Sequence, residues 1–209
     1  MDLKKLFEII LIKKEFLALV FANLCFQLGI TYIIMERTED AKKKYNFWVL
    51  FLANIAILFV LTISMHPIIK FAFFCGFSYI FGILLSVIKN KYNEEQIRIA
   101  IQSALSVFGA MLLTALGLLS GGIRLGYKFG IFLFVALLIL IIARLVNLFT
   151  NSLSNKILAI IGTLLFSLYV LYDTHVILQR NNNGDFVHAS MSYYLDIVNL
   201  FTNILQSNE

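Results

Sequence analysis

The sequence predicts an all-α membrane protein, a bundle of seven transmembrane helices. Three observations predict it. The 209 residues are 60% hydrophobic, with a mean hydropathy of +0.88 and only 14% charged, whereas a soluble domain keeps about a quarter of its residues charged. The apolar residues fall in long runs, not in the short alternating strands of a transmembrane barrel. The single proline is Pro67, so the runs are free to be helical. The same totals exclude a disordered chain, which needs low hydrophobicity and high charge.

A helix that crosses the hydrocarbon takes about 20 residues. Seven runs meet that length: 16–35, 47–65, 71–88, 97–119, 129–149, 157–178 and 186–205. The first follows Lys4, Lys5, Lys13 and Lys14 directly, with no small-residue cleavage site, so a cleavable signal is not expected. It carries Asn23, Gln27 and Thr31 at intervals of four and ends in the charged stretch 36–44. The second ends at the Met65-His66-Pro67 turn. The third places Ser78, Gly82 and Ser86 at intervals of four and stops in the loop 89–95. Stripes of small or polar residues let helices approach closely or hydrogen-bond across a seam. Ser120-Gly121-Gly122 closes the fourth run, residues 151–156 close the fifth, and Asn181-Asn182-Asn183-Gly184-Asp185 separates the sixth from the seventh. No loop is large enough for a second domain, so residues 1–209 read as one transmembrane domain.

The charges do not orient the bundle. Lysine and arginine bias between loops sets orientation. Here Lys4, Lys5, Lys13, Lys14, Lys70, Arg124, Lys128 and Arg180 face one side. Arg37, Lys42, Lys43, Lys44, Lys89, Lys91, Arg98 and Lys156 face the other, eight against eight. The net charge of +5 suits anionic headgroups and not nucleic acid. Cys25 and Cys75 both lie inside apolar runs, so no disulfide framework is expected.

Charged side chains inside a span are costly and mark function by default. Asp173 lies eleven residues before Gly184, and Asp196 lies eleven after Asp185. In an antiparallel hairpin this places both carboxyls roughly 12–17 Å in from the turn, near the middle of the hydrocarbon. Two such acids at one depth share a proton more readily than they both ionise. The pair can sense pH or bind a cation transiently. The structural alternative is two acids hydrogen-bonded for packing, with Tyr169, Tyr172 and Thr174 as partners. Asn199 and Asn203 continue the face of Asp196 along the seventh run. Arg144, near the end of the fifth run, is expected to snorkel to the headgroups.

Other chemistries fit less well. His66, His175 and His188 lack the spacing of four that sets two metal ligands on one helix face. No Gly-x-Ser-x-Gly elbow occurs, and the seventh run has no lysine for a Schiff base. Neither an enzyme nor a resident cofactor is expected. A proton-coupled transporter would use the same two acids, but the internal repeats and broken helices of such carriers are not visible.

Leu171-Tyr172-Asp173-Thr174-His175, followed by Tyr194-Leu195-Asp196-Ile197-Val198-Asn199-Leu200-Phe201, resembles the paired motifs of the Bax inhibitor-1 family. Residues 161–169 and the Met65-His66-Pro67 turn add to the resemblance. It implies a seven-helix bundle with the C-terminal helix central. It also implies a pH-sensitive calcium leak that suppresses cell death by lowering stored calcium, with Asp173 and Asp196 as the latch and transient calcium ligands. Asn199, Asn203, Tyr169 and Tyr172 would support or line the path, and His66 and His175 would modulate its pH response. The implied partners are lipids, calcium as permeant ion, and cell-death regulators of the host. The implied membrane is endoplasmic reticulum or Golgi for a eukaryotic or viral member, and plasma membrane for a bacterial one. Bacterial members carry an arginine cluster at the end of the second span, one of which can pair with the acids. The stretch here is Ser64-Met65-His66-Pro67, which leaves His66 and Lys70 as the nearby basic candidates.

Overall fold

The structure is a computed structural model that describes residues 3–38, 44–63, 65–179 and 185–208. Among these residues it is all helical, with α1 (Leu3–Ile12), α2 (Lys14–Arg37), α3 (Phe47–Thr62), α4 (Pro67–Lys89), α5 (Glu94–Ser120), α6 (Tyr127–Thr150), α7 (Asn155–Gln179) and α8 (Phe186–Ser207). The helices from α2 onward coincide with the expected runs. The difference is at the start: Leu3–Ile12 is a helix of its own, interrupted at Lys13. The Lys13 ammonium donates to the Ile177 carbonyl at 2.9 Å, so the break presents a cation to helix α7. Ser64, Arg180 and the turn residues 181–184 lie outside the described residues, as do 39–43 of the charged stretch.

Local chemistry explains the helix ends. The Asn46 side chain accepts from the backbone N–H of Trp48 and Val49 and starts α3. His66 occupies the same position for α4, with Pro67 at the first helical position where its missing N–H costs nothing. Asp185 accepts from the His188 N–H and starts α8. Asn151 ends α6 in the left-handed conformation (φ 46°), which asparagine tolerates better than most residues.

Among the described residues five helices, α2, α4, α5, α6 and α7, are long and apolar enough to cross a membrane. The 16-residue α3 is apolar but shorter. The 22-residue α8 has the length, but Asp196, Asn199, Thr202 and Asn203 dilute its apolar character. The expected count of seven spans therefore depends on α3 and α8. Large apolar side chains such as Phe59, Phe132, Ile139 and Leu164 point outward. Such a surface is unsuited to water.

The chain forms two compact units that interleave in sequence: Glu15–Glu94 with Asn182–Tyr194, and Met1–Lys14 with Glu95–Asn181 and Leu195–Glu209. In the first unit the two expected stripes face each other. Ser78 donates to Gln27 Oε1 at 2.8 Å, and the Thr31 hydroxyl donates to the carbonyls of Gln27 and Ser78, both at 3.1 Å. Helix α8 joins this seam. Asn23 Nδ2 donates to Ser190 Oγ, and the Tyr194 and Thr31 hydroxyls share a 2.6 Å hydrogen bond. Phe74, Phe77 and Phe81 surround the Tyr194 ring. In the second unit α6 and α7 pack through Leu133, Leu140, Leu158 and Leu165. The spacing of seven in each helix keeps these leucines on one face.

Gly82 sets the closeness of α2 and α4. A Cβ there would fall 2.8 Å from both the Ile34 Cβ and the Thr31 carbonyl oxygen. Gly82→Val is expected to push the helices apart and to cost about 1–3 kcal/mol. Thermal unfolding in detergent checks this, and a wild-type Tm for the variant would refute the contact.

Candidate functional site

The second unit holds both intramembrane acids. Asp173 is half-buried on α7, and Asp196 is 3% exposed on α8. Their carboxyls interact electrostatically with one another, and both act on the Tyr169 hydroxyl. The helix ends are less symmetric than the residue count. Asp173 lies six residues before Gln179, and Asp196 lies ten after Phe186. Asp196 Oδ2 is buried and has no hydrogen-bond partner among the described residues. An uncompensated carboxyl oxygen in a low-dielectric interior favours uptake of a proton or a cation.

The aromatic residues beside the acids are held by α6. Tyr169 and Tyr172 pack against the α6–α7 leucine cluster, and the Phe129 ring lies 6.0 Å from that of Tyr172. Gly130 leaves the space that the Tyr172 hydroxyl end fills, since a Cβ would overlap it. The Thr174 hydroxyl donates to the Val170 carbonyl of its own helix.

On α8 the amides of Asn199 and Asn203 bond to the backbone of their own helix. Asn199 Nδ2 donates to the Leu195 carbonyl, and Asn203 Nδ2 to the Asn199 carbonyl, each at 2.7 Å. Asn203 Oδ1 accepts from Arg144 Nη2 of α6. This corrects the expectation that Arg144 snorkels to the headgroups. A buried amide oxygen offers the guanidinium a partner inside the bundle, and the side chain turns to it. Gly162 on α7 makes the approach possible, because a Cβ there would overlap the Asn203 amide. The sequence held a signal for this junction that the residue-by-residue reading missed, a glycine inside a long apolar run.

The histidines are not gathered. His66 is exposed, and its Nδ1 accepts from the Ile68 N–H at 3.4 Å. His175 is fully buried, with Nδ1 bonded to the Leu171 carbonyl at 2.9 Å and Nε2 without a partner among the described residues. Lys70, 4% exposed, bonds Asp185 Oδ2 at 2.6 Å. The basic candidate nearest the turn is thus engaged at the start of α8. Among the described residues, no group of three or more His, Cys, Asp or Glu side chains could hold a metal ion.

Long apolar helices, an outward-facing apolar surface and acids kept inside together define a polytopic helical membrane protein. The chain belongs to the Bax inhibitor-1 family: the family described as "Inhibitor of apoptosis-promoting Bax1" matches residues 12–207. Its relatives span viruses, plants and animals. It is 30% identical to the Golgi anti-apoptotic protein of Vaccinia virus (strain Lister), over 93% of this chain and 85% of that protein. It is 29% identical to Protein LIFEGUARD 1 of Arabidopsis thaliana, over 80% and 72%. It is 41% identical to Protein lifeguard 4 of Mus musculus over a shorter segment, 38% of this chain and 34% of that protein.

The Lys70–Asp185 pair makes a testable contribution. Partial burial alone would push the Asp185 carboxyl up. The hydrogen bond from Lys70 and that from the His188 N–H outweigh it and hold the group below the usual carboxylate range. Asp185→Asn leaves a buried ammonium without its partner, at an expected cost of about 1–3 kcal/mol. Adding Lys70→Met is expected to recover most of that loss. Because the folded value is depressed, the contribution is fully present above the unfolded carboxylate value of about 3.9 and fades as pH falls through the lower folded value. Unfolding of wild type, Asp185→Asn and the double variant across pH checks both statements. Equal stability of all three at pH 6 would refute them.

Proposed function

We propose that this protein is a pH-sensitive calcium-leak channel of an intracellular membrane, and that it restrains cell death by lowering stored calcium. One observation carries the reading: the carboxyls of two consecutive helices interact electrostatically inside the bundle, and Asp196 Oδ2 has no hydrogen-bond partner among the described residues. Calcium takes oxygen ligands, and a leak needs sites weak enough to release the ion. Two acids followed by Asn199 and Asn203 suit weak, successive binding. Protonation neutralises the pair and so couples occupancy to pH, with His66 and His175 as secondary modulators. The seven-span bundle with a central last helix belongs to the same proposal. Membership in a family with relatives named anti-apoptotic supports the cellular role, and the Golgi in the viral relative's name supports an internal membrane.

Calcium flux into proteoliposomes at several pH values tests the mechanism. Asp173→Asn and Asp196→Asn are each expected to change the flux about tenfold or more and to flatten its pH dependence. Such a change corresponds to roughly 1.4 kcal/mol in the barrier. Unchanged flux and pH profile in both variants would sink the paired-acid mechanism. A double Asn variant that no longer leaks calcium but still protects cells would favour a non-conducting scaffold.

A further inference from the structure

We propose that Arg144, held by Asn203, is a positively charged barrier on the ion path, which limits divalent flux and sets the selectivity between divalent and monovalent ions. The proposal rests on the calcium-leak reading above and adds to it a residue and a role.

The geometry comes from three helices of one compact unit. Arg144 on α6 reaches Asn203 on α8, and Gly162 on α7 provides the space in which that amide sits. Asn203 is 2% exposed. The guanidinium is therefore drawn onto the polar face of α8 that begins at Asp196. Asn203 lies seven residues beyond Asp196, about 10 Å along the helix axis, toward the end at Ser207. In this proposal the ion path follows this face from the acids to that end, so that a permeating ion passes the guanidinium.

Among the described residues Arg144 forms no ion pair. The partner of its Nη2 is a neutral amide, and its Nε is buried without a partner. A guanidinium keeps its proton in proteins. A span arginine that only anchors a helix can place its charge in the headgroups. This one is turned inward instead, where its field acts on whatever crosses the unit.

A fixed positive charge acts on ions according to their valence, because the Coulomb energy is proportional to the ion's charge. A potential that slows potassium threefold therefore slows calcium about ninefold. It favours chloride in the opposite sense. A change that merely widens or loosens the path would move all ions together.

The test is flux of calcium, potassium and chloride through proteoliposomes of the full chain. The variants are Arg144→Gln, which keeps an amide donor for Asn203, and Asn203→Asp, which leaves Arg144 in place but sets a carboxylate beside it. Each lowers the local charge by one. Both are expected to raise potassium flux, to raise calcium flux by about the square of that factor, and not to raise chloride flux. Arg144→Lys, which keeps the charge, is expected to hold the calcium-to-potassium ratio near that of wild type. Gel filtration in detergent checks the folding of each. Wild-type calcium flux with an unmoved ratio in both neutralising variants would overturn the barrier and leave the leak reading standing. A proportional rise of all three ions would also overturn it. Absence of calcium flux in wild type and in both variants would overturn the leak reading and the barrier together.

Discussion

Hydrocarbon offers no hydrogen-bond partner, and most of this structure follows from that constraint. A polar side chain on a spanning helix must find its partner on its own helix or on a neighbour. Helices α2, α4 and α8 meet the demand together. Thr31 is the hub: its hydroxyl contacts two carbonyls, one on its own helix and one on α4, and the Tyr194 hydroxyl of α8. Gln27 is tied to Asn23 and Ser78, and Asn23 to Ser190. Directional bonds of this kind fix which helices are neighbours and in what register. Apolar contact cannot do that where the surrounding solvent is equally apolar.

The unsatisfied atoms are distributed differently. Four buried side-chain atoms lack a partner among the described residues: Asn54 Oδ1, Arg144 Nε, His175 Nε2 and Asp196 Oδ2. Three of them, all on titratable or charged side chains, lie in the unit that contains Asp173. An unmet buried polar group costs about 1–3 kcal/mol, so such groups concentrate where function requires them. The two units thus differ in chemistry. One pairs most of its buried polar groups and leaves a neutral amide oxygen, Asn54 Oδ1, unmatched, and the other leaves an acid, an imidazole nitrogen and a guanidinium nitrogen unmatched along the same three helices. This contrast is the ground on which the proposed leak is assigned to the second unit.

Much of the fold was legible because the bilayer imposes a long, simple pattern. Runs of about 20 apolar residues broken by glycine, asparagine or charge coincided with the helices from α2 onward. The i, i+4 stripes at Asn23, Gln27 and Thr31 and at Ser78, Gly82 and Ser86 did mark packing faces, and they proved to face each other. The separate helix α1 was not legible, because Lys13 and Lys14 read as the flank of a span and not as a break. Arg144 was misplaced for a related reason. Spacing gives its depth along α6, but whether a long side chain turns inward depends on an acceptor two helices later in the chain.

Class, the positions of the helices from α2 onward and the two costly acids were determined by the sequence alone, because hydropathy and charge are properties of residues in order. The symmetry of Asp173 and Asp196 about the turn was a statement about residue number. Their electrostatic interaction, the lack of a partner for Asp196 Oδ2 among the described residues, the Lys70–Asp185 pair and the Arg144–Asn203 bond were decided by the tertiary structure. The reason is physical. Whether a buried charge is met or left unmet depends on atoms from distant parts of the chain brought within a few ångströms, and linear spacing carries that information only within one helix.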